Sequence, residues 1–113
     1  MHEVSLCQNV ISQLQIAAER ENFSRVTRIW LEIGTLSHVT EAAMRFAFDA
    51  VAKGTIATRA SLEIRSIPAQ GRCERCHRMS AMIHRYDPCS GCGHFPLTVV
   101  GGEELRIKNI EVE

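Results

Sequence analysis

Cys73-Glu-Arg-Cys76, then twelve residues, then Cys89-Ser-Gly-Cys92: four of the five cysteines in this chain stand in two CxxC pairs. Two cysteines separated by two residues can bend towards one ion across a tight turn. A second pair at this distance completes a tetrahedron. The pattern reads as a structural Zn(II) site with Cys73, Cys76, Cys89 and Cys92 as ligands. It constrains the fold more than any other feature, because four thiolates must converge from a segment with few large apolar side chains. Metal binding then supplies folding energy, on the order of 10 kcal/mol or more for small zinc modules.

The same pattern limits the chemistry. Four thiolates saturate a tetrahedral shell and leave no position for an activated water, so Lewis-acid catalysis is disfavoured. Iron in a rubredoxin-like electron carrier is a chemical alternative, since the same ligands accept it. Cys73 to His77 also spells CxxCH, which alone could attach a c-type haem. The second CxxC pair and the lack of an export signal argue against haem. His77 and His94 read as exposed residues or hydrogen-bond donors to sulfur rather than ligands. His84 has no ligand spacing of its own, and His38, at the entrance to the second helix, reads as structural or exposed.

At 113 residues the chain is long enough for one compact domain, or one domain carrying a small metal-stapled insert. Thirteen basic and thirteen acidic side chains balance, so no global positive field draws in nucleic acid. There is no apolar run of membrane-spanning length and no basic stretch opening a signal peptide. These features point to the cytoplasm, where paired cysteines stay reduced and bind metal more often than they form disulfides. The fifth cysteine, Cys7, falls on a helical pattern as a small core residue.

Residues 4–18 place Val4, Cys7, Val10, Ile11, Leu14, Ala17 and Ala18 at helical intervals, and residues 19–22 end the helix. From Arg25 to Gly34 the chain alternates, with Thr27, Ile29, Leu31 and Ile33 on one face and Arg28, Trp30 and Glu32 on the other: a half-buried strand. Ser37 or Thr40 can cap a second helix that runs to about Lys53, with Gly54 as its stop. Its many apolar residues predict a helix with little polar face. Leu62 and Ile64 mark a second strand that ends at Pro68. Ser80 to Tyr86 can form one strand of a small hairpin between the cysteine pairs, and Leu97 to Val100 another. Leu105 to Val112 is a third main strand, and its shift of apolar phase between Ile107 and Ile110 predicts a bulge or a change of partner near Asn109.

The expected fold is α+β: a small sheet of about three strands packed with two helices, plus an inserted zinc-ribbon-like domain with two CxxC knuckles. Residues 1–68 with 102–113 would form the α/β domain and residues 69–101 the zinc-binding domain.

Met1-His2-Glu3 has a second kind of metal chemistry. The α-amine of Met1, the deprotonated backbone nitrogen of His2 and a His2 ring nitrogen can form fused chelate rings. The Glu3 nitrogen or carboxylate can fill a fourth planar position. Nitrogen-rich planar coordination suits Ni(II) or Cu(II) better than Zn(II). Taken alone, a terminal histidine is more often a solvated, frayed residue.

Five stretches then act together: Met1-His2-Glu3-Val-Ser-Leu-Cys7, Val26-Thr-x-x-Trp30-Leu-Glu-Ile-Gly34, Arg45-Phe-x-Phe48, the two CxxC pairs, and Ile110-Glu-Val-Glu113. Across essentially its whole length the sequence resembles the HypA/HybF family of nickel metallochaperones for [NiFe]-hydrogenase maturation. The resemblance implies a nickel site beginning at Met1, His2 and Glu3, and zinc ligands at Cys73, Cys76, Cys89 and Cys92. Some members carry a histidine directly after each CxxC. His77 matches that pattern, whereas Gly93 separates Cys92 from His94. The resemblance further implies a cytoplasmic, non-enzymatic protein that is a monomer or weak homodimer. Its partners would be a HypB-type GTPase and the hydrogenase large-subunit precursor, with no membrane or nucleic acid involved. The sequence itself has no GxxxxGK[ST] loop, so nucleotide energy would come from a partner. Glu32, Asp49 and Glu63 read as solvated charges or members of ion pairs. The competing reading is a zinc-ribbon module for nucleic acid or protein, suggested by Arg72, Arg75, Arg78 and Arg85.

Overall fold

The computed structural model describes residues 2–113; Met1 and the side chain of His2 lie outside the described residues. The elements are α1 (His2–Glu21), β1 (Val26–Gly34), a 3-10 turn (Thr35–Ser37), α2 (Glu41–Ala52), β2 (Ser61–Ile67), β3 (Ala69–Cys73), β4 (Met79–Met82), β5 (Leu97–Gly101) and β6 (Leu105–Val112). One sheet has the order β2-β1-β6, the other β4-β3-β5. The α+β class expected from the sequence is the one observed. The chain divides into two compact units. The first comprises the segments through Leu31, Val39–Arg65 and Arg106–Glu113; the second comprises Glu32–His38 and Ser66–Leu105.

In the first unit α1 buries Cys7, Val10, Ile11 and Leu14, at the spacing of one helical face, and exposes Gln8, Asn9, Ser12 and Gln13. Asn22 stops it in the left-handed region, φ 58°. Thr40 caps α2, its Oγ1 accepting the Ala43 N–H at 3.1 Å, and Glu41 adds negative charge to the first turn. α2 packs on α1 through Met44, Ala47, Phe48 and Ala52, with the Cys7 thiol 3.8 Å from the Met44 carbonyl. The expectation of a helix with almost no solvent face is corrected. Phe46 is 80% exposed, with Ala42 and Ala50 beside it also open to solvent. Apolar composition is a poor guide here because alanine is indifferent to either side of a helix surface.

β1 buries Ile29 and Leu31 as its alternation predicts, while Arg28 lies over the half-buried Trp30 ring, 5.5 Å from its centroid. β6 returns antiparallel along β1. At one end the Glu113 N–H meets the Arg25 carbonyl at 2.9 Å; at the other the Gly34 N–H meets the Glu104 carbonyl at 2.7 Å. Along β6 the half-buried positions are Leu105, Ile107 and then Ile110, the phase shift seen in the sequence.

In the second unit Glu32 is only 8% exposed, so of the two readings, solvated charge or member of an ion pair, the first does not hold. β3 runs antiparallel to both β4 and β5, and its inward positions are Ala69, Gly71 and Cys73. Nothing larger than glycine fits at 71: a Cβ there would stand 2.6 Å from Met82 Sδ and 2.8 Å from Leu97 Cβ. Leu36, Ala69, Met82 and Leu97 form a small core with Cys73 and Cys89. Gln70 pairs with Gly101 and Gly71 with Val99, so Val100 is a bulge. The strand foreseen from Ser80 to Tyr86 stops at Met82. The Asp87 carboxylate captures the Ile83 and His84 N–H groups at 2.7 and 3.0 Å and turns the chain. Ser37 does not cap α2; its hydroxyl donates to the Gly34 carbonyl at 2.7 Å and closes the 3-10 turn.

Candidate metal centre

Each CxxC pair is built by the same backbone scheme. In the first knuckle, Cys73 ends β3 and its N–H donates to the Arg78 carbonyl at 2.9 Å; the His77 N–H returns to the Cys73 carbonyl at 2.8 Å. In the second, the Cys89 N–H donates to the His94 carbonyl at 2.9 Å, and the Gly93 N–H returns to the Cys89 carbonyl at 2.9 Å. The residue after the second cysteine is left-handed in both, φ 65° at His77 and 77° at Gly93. That position favours glycine. This is why Gly93, rather than a histidine, can follow Cys92 without loss of the knuckle. The side chain of His77 is exposed and His94 is half-buried; the roles visible here are those of their backbones. His84 is also exposed, stacked on Tyr86 with its Nδ1 3.5 Å from Asp87. His38 is exposed, in the left-handed region at the end of the 3-10 turn.

The two knuckles bring all four sulfurs within 4.8 Å of one another. Cys73 and Cys92 are 3.7 Å apart, Cys76 and Cys89 3.6 Å. These separations are far beyond a disulfide bond, and all five cysteines are free thiols. They match the edge of a tetrahedron with zinc–sulfur bonds of about 2.3 Å, whose sulfurs stand about 3.8 Å apart. Cys73 and Cys89 lie inside, Cys76 and Cys92 at the surface. Among the described residues no other group of three or more His, Cys, Asp or Glu side chains is so arranged.

Backbone amides tune the sulfurs. The Cys76 N–H, 3.4 Å from Cys73 Sγ, holds that thiol below its usual value. Amides of Cys92 and Gly91 bring Cys89 down to about 6. At Cys76 the Arg78 amide pulls the value down, but the neighbouring sulfur of Cys89 and loss of solvent outweigh it, and the thiol is pushed up to about 11. A metal ion would meet thiolate more readily at Cys89 than at Cys76, where it would displace a proton. Binding therefore releases protons and weakens in acid.

The arginines that suggested a nucleic-acid surface are mostly engaged locally. Arg72 pairs with Glu74 at 3.6 Å and Arg85 with Glu103 at 2.6 Å, while the Arg78 side chain lies against Gly91 of the second knuckle. Two of the four arginines behind the local positive bias, Arg72 and Arg85, are thus paired with carboxylates in place.

Of the residues expected to hold nickel, Glu3 lies in the first turn of α1, half-buried. Met1 and the His2 side chain are outside the described residues.

A family model described as HypA, a hydrogenase/urease nickel-incorporation metallochaperone, matches residues 1–112. Hydrogenase maturation factors HypA from Rhodopseudomonas palustris strain BisA53 and Bradyrhizobium sp. strain ORS 278 are 47% and 45% identical to this chain, each over all 113 residues and the full length of the relative. In three dimensions the chain is similar to the solution structure of the Ni metallochaperone HypA from Helicobacter pylori, with a TM-score of 0.76 and 20% identity over 97% of this chain and 96% of that one. That likeness speaks for the fold, and the sequence matches speak for the lineage. The chain belongs to the HypA family of nickel-incorporation metallochaperones for hydrogenase maturation.

Proposed function

We propose that this protein carries Ni(II) at its N-terminus, on Met1, His2 and Glu3, and hands it to the [NiFe]-hydrogenase large-subunit precursor. Cys73, Cys76, Cys89 and Cys92 hold a structural Zn(II). The observation that carries the reading is the extent of the family match, which runs from residue 1 through Met1-His2-Glu3 and all four cysteines to residue 112. The start of α1 at His2 supports it, because the first N–H groups of a helix have no carbonyl to accept them. The backbone nitrogens of His2 and Glu3 are therefore not committed to the helix ladder, and the Glu3 carboxylate brings negative charge beside an incoming cation.

The two proposed sites divide the labour by chemistry. Four thiolates close around zinc and leave no entry for an exchanging ligand. A terminal site with few donors is exposed and can release its ion. It would bind Cu(II) more tightly than Ni(II) by the Irving–Williams order, so selectivity rests on metal supply and partners. A HypB-type GTPase would provide the energy, because this chain has no phosphate-binding loop. The protein acts as a cytoplasmic carrier rather than an enzyme.

His2→Ala should abolish nickel uptake in a titration of untagged protein while zinc content and the circular dichroism spectrum stay unchanged. Extending the N-terminus by one residue, which displaces the α-amine and keeps every side chain, should have the same effect. Unaltered nickel affinity in both variants would sink the N-terminal site.

A further inference from the structure

The second knuckle has little regular structure of its own. Between the end of β4 at Met82 and the start of β5 at Leu97, the described residues include no strand or helix. Its position comes instead from two residues on the other side of the metal centre. Ser80 is 4% exposed and sits in β4 opposite Gly71 of β3. Its Oγ accepts the Ser90 N–H at 3.1 Å and lies 3.1 Å from the Ser90 hydroxyl. Ser90, itself exposed, directly follows Cys89, so its bond to the buried Ser80 fixes the first turn of the knuckle. Two residues before Ser80, Arg78 gives its carbonyl to the first knuckle and lays its side chain on the second. A Cβ at Gly91 would stand 2.8 Å from Arg78 Nε, 2.9 Å from Cδ and 3.0 Å from Cζ, so a side chain there would push the guanidinium off the knuckle.

We propose that Arg78 and Ser80 form a clamp that holds the second knuckle against the first and sets how slowly the centre gives up its metal. The inference rests on the reading of the four cysteines as a zinc site. A saturated four-thiolate shell loses its ion only after one sulfur detaches. Cys92 lies at the surface in the second knuckle, and an outward swing of that knuckle draws its sulfur off the ion. Ser80 ties that knuckle to the sheet, and Arg78 covers it. Groups that orient metal ligands commonly change affinity about 10–100-fold when removed.

The test follows zinc transfer from the full-length protein to the chromophoric chelator 4-(2-pyridylazo)resorcinol. Ser80→Ala and Arg78→Gln should each release zinc about tenfold faster than the parent chain. Arg75→Gln removes an equal charge from the exposed turn of the first knuckle and should leave the rate unchanged. Gly91→Ala should displace the guanidinium and match Arg78→Gln, and the double variant should be no faster than either single one. Cobalt-substituted Arg78→Gln should keep its tetrahedral thiolate absorption, showing that positioning and not ligation has changed. Because the Arg78 side chain is at the surface, that variant keeps the test valid should Ser80→Ala fail to fold. A rate equal to the parent in Arg78→Gln, or in a folded Ser80→Ala, overturns the clamp, as does an equal acceleration in Arg75→Gln. A chain that purifies without zinc and takes up none overturns both this inference and the zinc reading; a zinc-loaded chain with unchanged rates overturns the clamp alone.

Discussion

The interior of the first unit is filled by Val10, Ile11, Leu14, Ile29, Leu31, Met44 and Phe48, drawn from two helices and a strand. The interior of the second offers Leu36, Ala69, Met82 and Leu97, completed by two cysteines whose sulfurs face their partners. One region excludes water with aliphatic volume. The other has too little such volume and relies on a point of convergence. The contrast teaches which part of the protein should depend on what: packing defects should harm the first, loss of an ion the second.

The largest expected effect is metal removal. Stripping zinc with a strong chelator should unfold the second unit, a loss on the order of 10 kcal/mol of folding free energy. The helical circular dichroism of α1 and α2 should survive. A single cooperative collapse of both signals would break the comparison. Next comes Leu14→Ala, which empties a fully buried site in the first unit. It should cost about 2–5 kcal/mol in urea denaturation and leave zinc stoichiometry intact.

Cys7 gives a smaller, pH-dependent effect. Burial, aided by the Glu3 charge, pushes its thiol up from 9.0 to about 11. Because the folded value is the higher one, the neutral thiol favours the folded state. Its contribution is complete below pH 9 and is lost as pH rises towards 11, by on the order of 2 kcal/mol. Denaturation curves across this range should fall more steeply for the parent chain than for Cys7→Ala. The smallest effect sharpens the comparison between the knuckles. His77→Gly relieves a left-handed non-glycine residue and should raise the thermal stability of the zinc-loaded protein by about 1 kcal/mol or less. Gly93→His should lower it by a similar amount.

Much of this architecture is legible in the sequence where periodicity or spacing is physically imposed. The helical recurrence of Cys7, Val10, Ile11 and Leu14, the alternation through Ile29 and Leu31, and the two CxxC pairs each report a geometry that few other arrangements satisfy. β3 is not legible. Ala69-Gln-Gly-Arg-Cys73 lacks the branched and aromatic residues that favour strands. It becomes one because β4 and β5 pair on both sides and because Gly71 alone fits between Met82 and Leu97. The burial of Glu32 and the exposure of Phe46 are equally hidden, being decided by what packs on each face. Arg78 and Ser80 carry no motif, since their significance depends on Ser90 and Gly91, residues brought near only by the fold.

Leu36 belongs to the core that surrounds Cys73 and Cys89, yet it is encoded more than thirty residues upstream of the first CxxC, in the turn that follows β1. Thr35, its neighbour, accepts the Ala69 N–H at 3.2 Å, and the Leu36 N–H reaches the Gly102 carbonyl at 2.8 Å. A gene fragment running from Ser66 to Leu105 would contain every sulfur ligand and still lack the peptide that seals their interior. The cysteine-bearing half of this molecule is therefore not a portable cassette. To transplant it, one must carry across a stretch of sequence that shows no sign of belonging to it.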